Sequence, residues 1–396
     1  MYNADTSSQK VDLGIGAYRD SQGKPWVLPV VEKAEKILLE QRGRNHEYNP
    51  VMGDAGLLKG AARIMFGEGS KVLEENRVCS IQTVSGTGGL SVAAAFLKTV
   101  YPGVKKAYAS NPTWGNHKNI METFGMEYGQ YSYWNKATKG LDYEGMIRDI
   151  HSMEDRSIVI LHACAHNPTG VDPTRQQWDG IAQAIKAKGH FVIFDTAYQG
   201  FATGNLDDDA WAIRRFIEAY DMEMIVTQSF AKNMGLYGER CGVLHVVSAN
   251  AQVSQTIVSS NLAKSSRSII SSAPRYCGAI ASIVLNTPEL FAEWKQDCLN
   301  LEMSARIHKM RKLLLHNLVK LGAKEEEWSH ITSQIGMFSF TGLNEQQVDI
   351  LIKKYHIYLT SNGRISVAGL NEGNVEYVAK AIYEVSTSTT IQKSNI

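Results

Sequence analysis

Ile158-Val-Ile-Leu-His-Ala-Cys164 is a short apolar run, and the turn Asn167-Pro168-Thr169-Gly170 follows it closely. From Arg175 to Lys188, residues Trp178, Ile181, Ala182 and Ile185 fall at helical spacing. Gly189 stops that pattern, and His190-Phe-Val-Ile-Phe-Asp195 is a second apolar run. Two buried strands joined by a helix form a βαβ unit, whose strands pair parallel because the helix carries the chain back to the starting edge. Runs that are apolar throughout, rather than alternating, need cover on both faces. The pattern predicts an α/β fold with a mostly parallel, mixed sheet flanked by helices.

Further short runs, Ile225-Val226-Thr227 and Gly242-Val-Leu-His-Val-Val247, fit the same sheet. A chain of 396 residues is too long for one simple core and points to a large domain with a smaller satellite. Between about Ala292 and Leu321, apolar Leu299, Met303, Ile307, Met310, Leu314 and Leu318 predict a long helix. Short strands over Ile335–Phe340 and Arg364–Val367 follow, then an amphipathic helix carrying Val375, Val378, Ile382 and Val385 on one face. This C-terminal part reads as a smaller α+β domain. From Ser386-Thr-Ser-Thr-Thr onward the composition predicts a loose polar tail.

Lys and Arg total 41 against 40 Asp and Glu, so a broad nucleic-acid or anionic-membrane surface is excluded and any anion must be held by a few well-placed cations. The five cysteines form no CxxC pair and sit in apolar runs, as buried free thiols do in a reducing compartment. No apolar run approaches the roughly 20 residues that span a bilayer. Met1-Tyr-Asn-Ala-Asp-Thr has neither a basic nor an apolar leader pattern, so a cytoplasmic protein is expected. No metal site is expected.

Ligands of open α/β sheets bind beyond the carboxyl ends of the strands, and both Asp195 and Lys232 directly follow apolar runs. Lys232 stands in Thr227-Gln-Ser-Phe-Ala-Lys-Asn-Met-Gly-Leu-Tyr-Gly-Glu-Arg240, among hydroxyls and glycines with an arginine eight residues on. That company suits an imine bond to an aldehyde whose carrier bears a phosphate. Ser85-Gly-Thr-Gly-Gly89 opens a helix-like run, where free backbone N–H groups and the helix dipole favour an anion. It matches neither the GxGxxG nor the GxxxxGK[ST] nucleotide spacing. A buried Asp195 needs a cationic partner, which a protonated pyridine nitrogen supplies. Tyr198 is placed to donate to a ring hydroxyl, Trp114 offers a flat wall, His117 orients a carboxylate, and Asn167 precedes a proline that fixes its backbone.

In chain order, Ser85-Gly-Thr-Gly, Asn111-Pro-Thr-Trp-Gly-Asn-His117, His162-Ala-Cys-Ala-His-Asn-Pro-Thr-Gly170, Asp195-Thr-Ala-Tyr-Gln-Gly200 and Ser229-Phe-Ala-Lys-Asn233 resemble the aspartate aminotransferases of class I and fold type I. Gly235-Leu-Tyr-Gly-Glu-Arg240, Ile335-Gly-Met-Phe-Ser-Phe340 and Gly363-Arg-Ile-Ser-Val-Ala-Gly369 extend the resemblance from Val11 to about Val385. The resemblance implies a large domain over 26–300, a small domain formed by 1–25 with 301–396, and a homodimer with shared active sites. It implies pyridoxal 5'-phosphate as cofactor, and ping-pong transfer of the amino group from L-aspartate to 2-oxoglutarate. The alternative is an aromatic-amino-acid or dual-specificity aminotransferase of the same fold. Lys232 is then the covalent anchor and proton shuttle, Asp195 the partner of the pyridine nitrogen supported by His117, and Trp114 the ring's stacking partner. Tyr198 and Asn167 contact the ring oxygen, while Ser85, Gly86, Thr87, Ser229 and Arg240 hold the phosphate with Tyr48 of the neighbouring subunit. Arg364 clamps the substrate α-carboxylate, Arg267 crosses the dimer interface to the distal carboxylate, and Gly16 with Ile15 closes over the substrate.

Three features depart from that pattern. Ala231 stands where the family has a phosphate-binding serine, Ser271-Ser-Ala-Pro274 replaces Ser-Asn-Pro-Pro, and the N-terminal arm is short. The first predicts modestly lower cofactor affinity, the second an altered geometry near Arg267, and the third a weaker dimer. Two arginines at opposite ends of the substrate argue for a four- or five-carbon dicarboxylate, since a guanidinium pairs with a carboxylate through two parallel hydrogen bonds.

Overall fold

The computed structural model describes residues 1–393 other than Arg44, Pro102 and Lys105, and of Cys298 and 388–393 it describes the backbone alone. Seven strands form the central sheet: β1 (Val78–Val84), β2 (Lys106–Asn111), β3 (Glu127–Ser132), β4 (Ile158–His162), β5 (Phe191–Thr196), β6 (Met224–Ser229) and β7 (Cys241–Val247). Their spatial order is β1-β7-β6-β5-β4-β2-β3. β7 runs antiparallel to both its neighbours and every other pair is parallel. The βαβ unit read from 158–195 is β4, the helix Arg175–Ala187 and β5, paired in register from Ile158↔Phe191 to His162↔Asp195.

Burial explains why β4 and β5 are apolar throughout. Ile158, Ile160 and Ile193 pack into one apolar cluster with Leu90, Ala93 and Leu97 of the helix Ser85–Val100. Val159, Leu161, Val192 and Phe194 pack into a second with Trp178, Ile181 and Ile185 of the helix Arg175–Ala187. Successive side chains point to opposite faces, and helices cover both. The helix Arg175–Ala187 starts at a capping box in which Thr174 and Gln177 satisfy each other's backbone N–H groups.

The carboxyl ends of β1, β4, β5 and β6 meet at one edge of the sheet. There the helix Ser85–Val100 begins straight after β1, β6 runs into the Lys232 segment, and β7 starts directly after Arg240. Beyond the sheet, Val11–Asp12 pairs parallel with Ile357–Tyr358, and Phe338–Phe340 pairs antiparallel with Arg364–Ser366. A third apolar cluster joins Leu13, Tyr18, Phe230, Met310, Phe338, Ile365 and Val378.

Three details differ from the sequence reading. The long helix over 292–321 is wound as a π-helix from Trp294 to Ser304 before returning to α over Ala305–Lys320. The strand expected at 335–340 is confined to Phe338–Phe340, because Ile335 donates its N–H to Gly170 O at 2.8 Å and Gly336 turns at φ +80. The residues expected as a loose tail continue the helix Val375–Lys393: Ser386 and Thr387 donate their hydroxyls to Tyr383 O, both at 2.9 Å, so polar composition does not interrupt it. Cys79, Cys164, Cys241 and Cys277 are buried free thiols, and the side chain of Cys298 lies outside the described residues. No described helix is long and apolar enough to cross a membrane.

Candidate active site

At the carboxyl edge of the sheet a cavity is lined by Ser85, Gly86, Thr87, Trp114, His162, Asn167, Asp195, Ala197, Tyr198, Ser229, Lys232 and Arg240. One end is built for an anion. The helix Ser85–Val100 has no side-chain cap, so its first N–H groups remain available and its dipole adds positive potential. Ser85 Oγ lies 2.8 Å from Ser229 Oγ, and the Arg240 guanidinium, steadied by Tyr237 O at 2.9 Å, is the cation. Ser85 and Arg240 hold left-handed backbone conformations, at φ +58 and +57, a strain that persists where surrounding structure imposes it. Ser85 is seated against Gly242: a Cβ there would lie 2.7 Å from Ser85 Cα and 2.8 Å from Gln228 O, so only glycine admits this approach.

The other end is a buried carboxylate held by a histidine. Asp195 is 8% exposed, and its Oδ2 lies 3.0 Å from His117 Nε2. Burial pushes the Asp195 carboxyl up, but the His117 hydrogen bond and the nearby positive charges outweigh it, and the group stays below the usual carboxylate range. Lys232 sits with Nζ 5.3 Å from the centre of the Tyr198 ring. Its pKa is lowered, chiefly by burial and also by Arg240, against the opposing pull of Asp195. A lysine shifted in that direction gives up its proton more readily and so serves as nucleophile and base. Burial raises the Tyr198 phenol, keeping it a neutral donor.

Arg364 adjoins the cavity wall at Asn167. Its guanidinium lies 4.1 Å from the Phe338 ring centre, Nη1 reaches Asn167 Oδ1 at 3.4 Å, and Nη2 reaches Gly14 O at 3.5 Å. Nε has no partner among the described residues. Both bonds are long, so the fork keeps most of its capacity for an incoming carboxylate. Gly16 flanks the same shelf: a Cβ on it would stand 4.0 Å from Phe338 Cζ.

A single set of contacts thus gathers Lys232, Asp195, His117, Tyr198, Asn167, Trp114, Ser85, Gly86, Thr87, Ser229, Arg240, Arg364 and Gly16. Tyr48 and Arg267 do not line the cavity of their own chain: Tyr48 is 85% exposed, and Arg267 is exposed in the last turn of the helix Ser259–Ile270. His162 was missed by sequence reasoning. It ends β4 in register with Asp195, so the strand-end rule that selected Asp195 also applies to it. Thr113 Oγ1 links it to His117, lying 3.2 Å from His162 Nε2 and 2.8 Å from His117 Nδ1.

The sequence model of aminotransferase class I and II matches residues 8–382. The chain belongs to that family. Two relatives named cytoplasmic aspartate aminotransferase, from Schizosaccharomyces pombe and Saccharomyces cerevisiae, are each 49% identical to this aminotransferase. The alignments cover 96% and 99% of the chain and 92% and 94% of the relatives. The solved structure of the Saccharomyces cerevisiae cytoplasmic aspartate aminotransferase superposes with a TM-score of 0.92, covering 97% of this chain and 93% of that one. An aromatic-amino-acid aminotransferase from Burkholderia pseudomallei, described as covalently bound to pyridoxal phosphate, also superposes at 0.92, with 38% identity over 97% of this chain and 94% of that one. The neighbours confirm the fold type I architecture of this aminotransferase.

Proposed function

We propose that this aminotransferase moves the amino group of L-aspartate to 2-oxoglutarate in a ping-pong cycle, giving oxaloacetate and L-glutamate with pyridoxal 5'-phosphate as cofactor. Lys232 and Asp195 on one cavity, with Arg364 bonded to Asn167 of its wall, carry the reading, and two relatives of almost equal length named aspartate aminotransferase direct it to aspartate. The residues fit the cofactor: a buried carboxylate faces one end, and an uncapped helix start with Ser85, Ser229 and Arg240 forms the other.

When bound, pyridoxal phosphate supplies an electron sink for negative charge developing at the amino-acid α-carbon. Asp195 keeps a negative charge opposite the pyridine nitrogen, and His117 holds that carboxylate in place. Ser85, Gly86, Thr87, Ser229 and Arg240 bind the phosphate, while Tyr198 and Asn167 donate toward the ring oxygen. Trp114 supplies the flat wall. Lys232, kept ready to lose its proton by burial, would take the proton from the substrate α-carbon and hold it on Nζ for return. Arg364 takes the α-carboxylate, and Gly16 covers it.

Tyr48 and Arg267, exposed on their own chain, complete the site of a second subunit in a homodimer, Tyr48 at the phosphate and Arg267 at the distal carboxylate. A large domain over 26–300 and a small domain of 1–25 with 301–396 carry the two halves of the site, supported by the pairing of Val11–Asp12 with Ile357–Tyr358. The names of the two yeast relatives support a cytoplasmic location. A second reading, activity on aromatic amino acids, is favoured by the equal superposition of aromatic aminotransferases.

Adding L-aspartate to the holoenzyme, then 2-oxoglutarate, tests the proposal. The absorption band of the bound cofactor is expected to disappear and then return. A band that ignores aspartate and answers phenylalanine selects the second reading. No band after addition of pyridoxal phosphate removes Lys232 as the anchor.

A further inference from the structure

Tyr237 lies on the loop between Lys232 and Arg240 without lining the cavity. Its hydroxyl accepts the backbone N–H of Tyr18 at 2.8 Å, a contact between residues 219 positions apart. Its own carbonyl accepts from Arg240 Nη1 at 2.9 Å. One residue therefore touches the phosphate-side cation and the segment that carries Gly16.

The Tyr18 end is tied to the Arg364 segment. Tyr18 donates its hydroxyl to Glu302 O at 2.8 Å and accepts from Arg306 Nε at 2.8 Å, with the guanidinium 4.6 Å from its ring centre. The other Arg306 donors reach Leu370 O at 2.9 Å, Ala368 O at 3.2 Å and Arg19 O. Ser366 N donates to Leu13 O at 2.7 Å. Residues 13–19 and 364–370 are thus joined as one block by a connected set of partly buried hydrogen bonds. The lysine loop has little slack to take up: Gly235, at φ +66, is seated so that a Cβ would lie 2.8 Å from Leu28 Cδ1.

We propose that Tyr237 is a positioning residue whose hydroxyl sets the separation between the Lys232 loop and the block carrying Gly16 and Arg364. The inference rests on the reading above that Arg364 holds the substrate carboxylate. A substrate held by Arg364 presents its α-proton to Lys232 only when the two supports keep a fixed spacing, and misplacement by about an ångström is costly in such a site. Tyr237 supplies that spacing through a single hydrogen bond whose other end is backbone, so no side-chain rotation at Tyr18 can release it.

The test is Tyr237→Phe in the holoenzyme, which keeps the ring and the carbonyl that steadies Arg240. Hydrogen exchange is expected to rise in the peptide containing the Tyr18 amide and to stay unchanged in the peptide containing Ser229 and Lys232. The kcat for L-aspartate is expected to fall roughly 3- to 10-fold, with the KM for L-aspartate and the Kd of succinate, a probe of the carboxylate clamp, changing less than about 2-fold. Unchanged exchange at Tyr18 overturns the proposal. So does a general rise in exchange across the chain with kcat and KM altered together, the mark of a merely structural residue. If the wild-type enzyme proves inactive on aspartate, the substrate reading fails, while the exchange of Tyr18 still decides the role of Tyr237.

Discussion

His117 Nε2 and Asp195 Oδ2 lie 3.0 Å apart in the core, with no exposed surface on the histidine and 8% on the aspartate. An unpaired buried carboxylate is expensive, so this pair both stabilises Asp195 and fixes its direction. The chain of contacts continues through Thr113 Oγ1 to His162, so the charge at the inner wall of the cavity is held by a connected polar network rather than by one bond.

Asp195→Asn keeps the shape and removes the charge. Activity with aspartate is expected to fall by a factor of roughly 30 to several thousand, the consequence of removing the buried charge proposed to face the pyridine nitrogen. His117→Asn removes only the support and is expected to cost roughly 2- to 13-fold. Comparing kcat/KM for the two variants checks the assignment, and an Asp195→Asn enzyme within a few fold of wild type sinks it.

Gly170 couples the Asn167 turn to the strand beside Arg364. It holds φ +66, and a Cβ there would stand 2.8 Å from Phe338 O and 3.0 Å from Ile335 O. Gly170→Ala therefore combines backbone strain with a steric clash against main chain and is expected to destabilise by about 1–3 kcal/mol. Urea unfolding measures the loss. A variant as stable as wild type means that the strand shifts freely, and the coupling to Arg364 is then absent.

Ala231 is buried, and its backbone N–H donates to Ser229 Oγ at 3.2 Å. Ala231→Ser adds a hydroxyl on the anion-binding side of the cavity. A gain in pyridoxal phosphate affinity of roughly 2- to 13-fold is expected, as for one added hydrogen bond. Equilibrium dialysis of the cofactor reads it, and an unchanged affinity places the new hydroxyl away from the phosphate.

Much of this arrangement was legible because it rests on local signals. β4 and β5 announced themselves by continuous apolar runs, and Asp195 by ending one of them. Lys232 and the Ser85 turn were marked by neighbouring glycines and hydroxyls. What stayed hidden depends on contacts distant in sequence. Ile335 leaves the expected strand because its N–H is taken by Gly170, and no periodicity encodes that. The polar composition after Ser386 misled because hydroxyls bonded back to the preceding turn are compatible with a helix. Tyr48 and Arg267 were assigned by resemblance alone, and a single chain leaves both on the surface.

Buried neutral histidines give the fold an acid limb. His245 is bonded to Ser80 Oγ at 2.7 Å and Gln228 Oε1 at 3.0 Å, and burial pushes it down to about 3. Unfolded, it titrates near 6.5. Between those values the unfolded chain binds the extra proton, so stability falls as pH falls, by about a factor of ten in the folding equilibrium per pH unit for each such histidine. Asp209, pushed up to about 7 by burial, works in the opposite sense between about pH 4 and 7. The difference between wild type and His245→Gln isolates the histidine. The variant is expected to lose stability less steeply from pH 6 to 4, and parallel stability profiles contradict the assignment.

Arg267 carries the substrate prediction. It is exposed in the last turn of the helix Ser259–Ile270, which ends at Ser271 with φ +63, and it does not line the cavity of its own chain. Its proposed work is therefore done in a neighbour's site, where a guanidinium fork matches the second carboxylate of aspartate and has no counterpart on an apolar side chain. Losing one partner of such a pair costs roughly 2–5 kcal/mol, so Arg267→Ala is expected to lower kcat/KM for aspartate by roughly 30- to several thousand-fold. Activity on phenylalanine is expected to change far less. Mixing Arg267→Ala with Lys232→Ala subunits sharpens the test, because a mixed dimer then holds one site with an intact Lys232 and a partner's Arg267. Recovery of aspartate activity on mixing, above the sum of the two variants assayed alone, is the expected outcome. Equal losses on both substrates, or no recovery on mixing, take Arg267 out of the specificity role and out of the shared site.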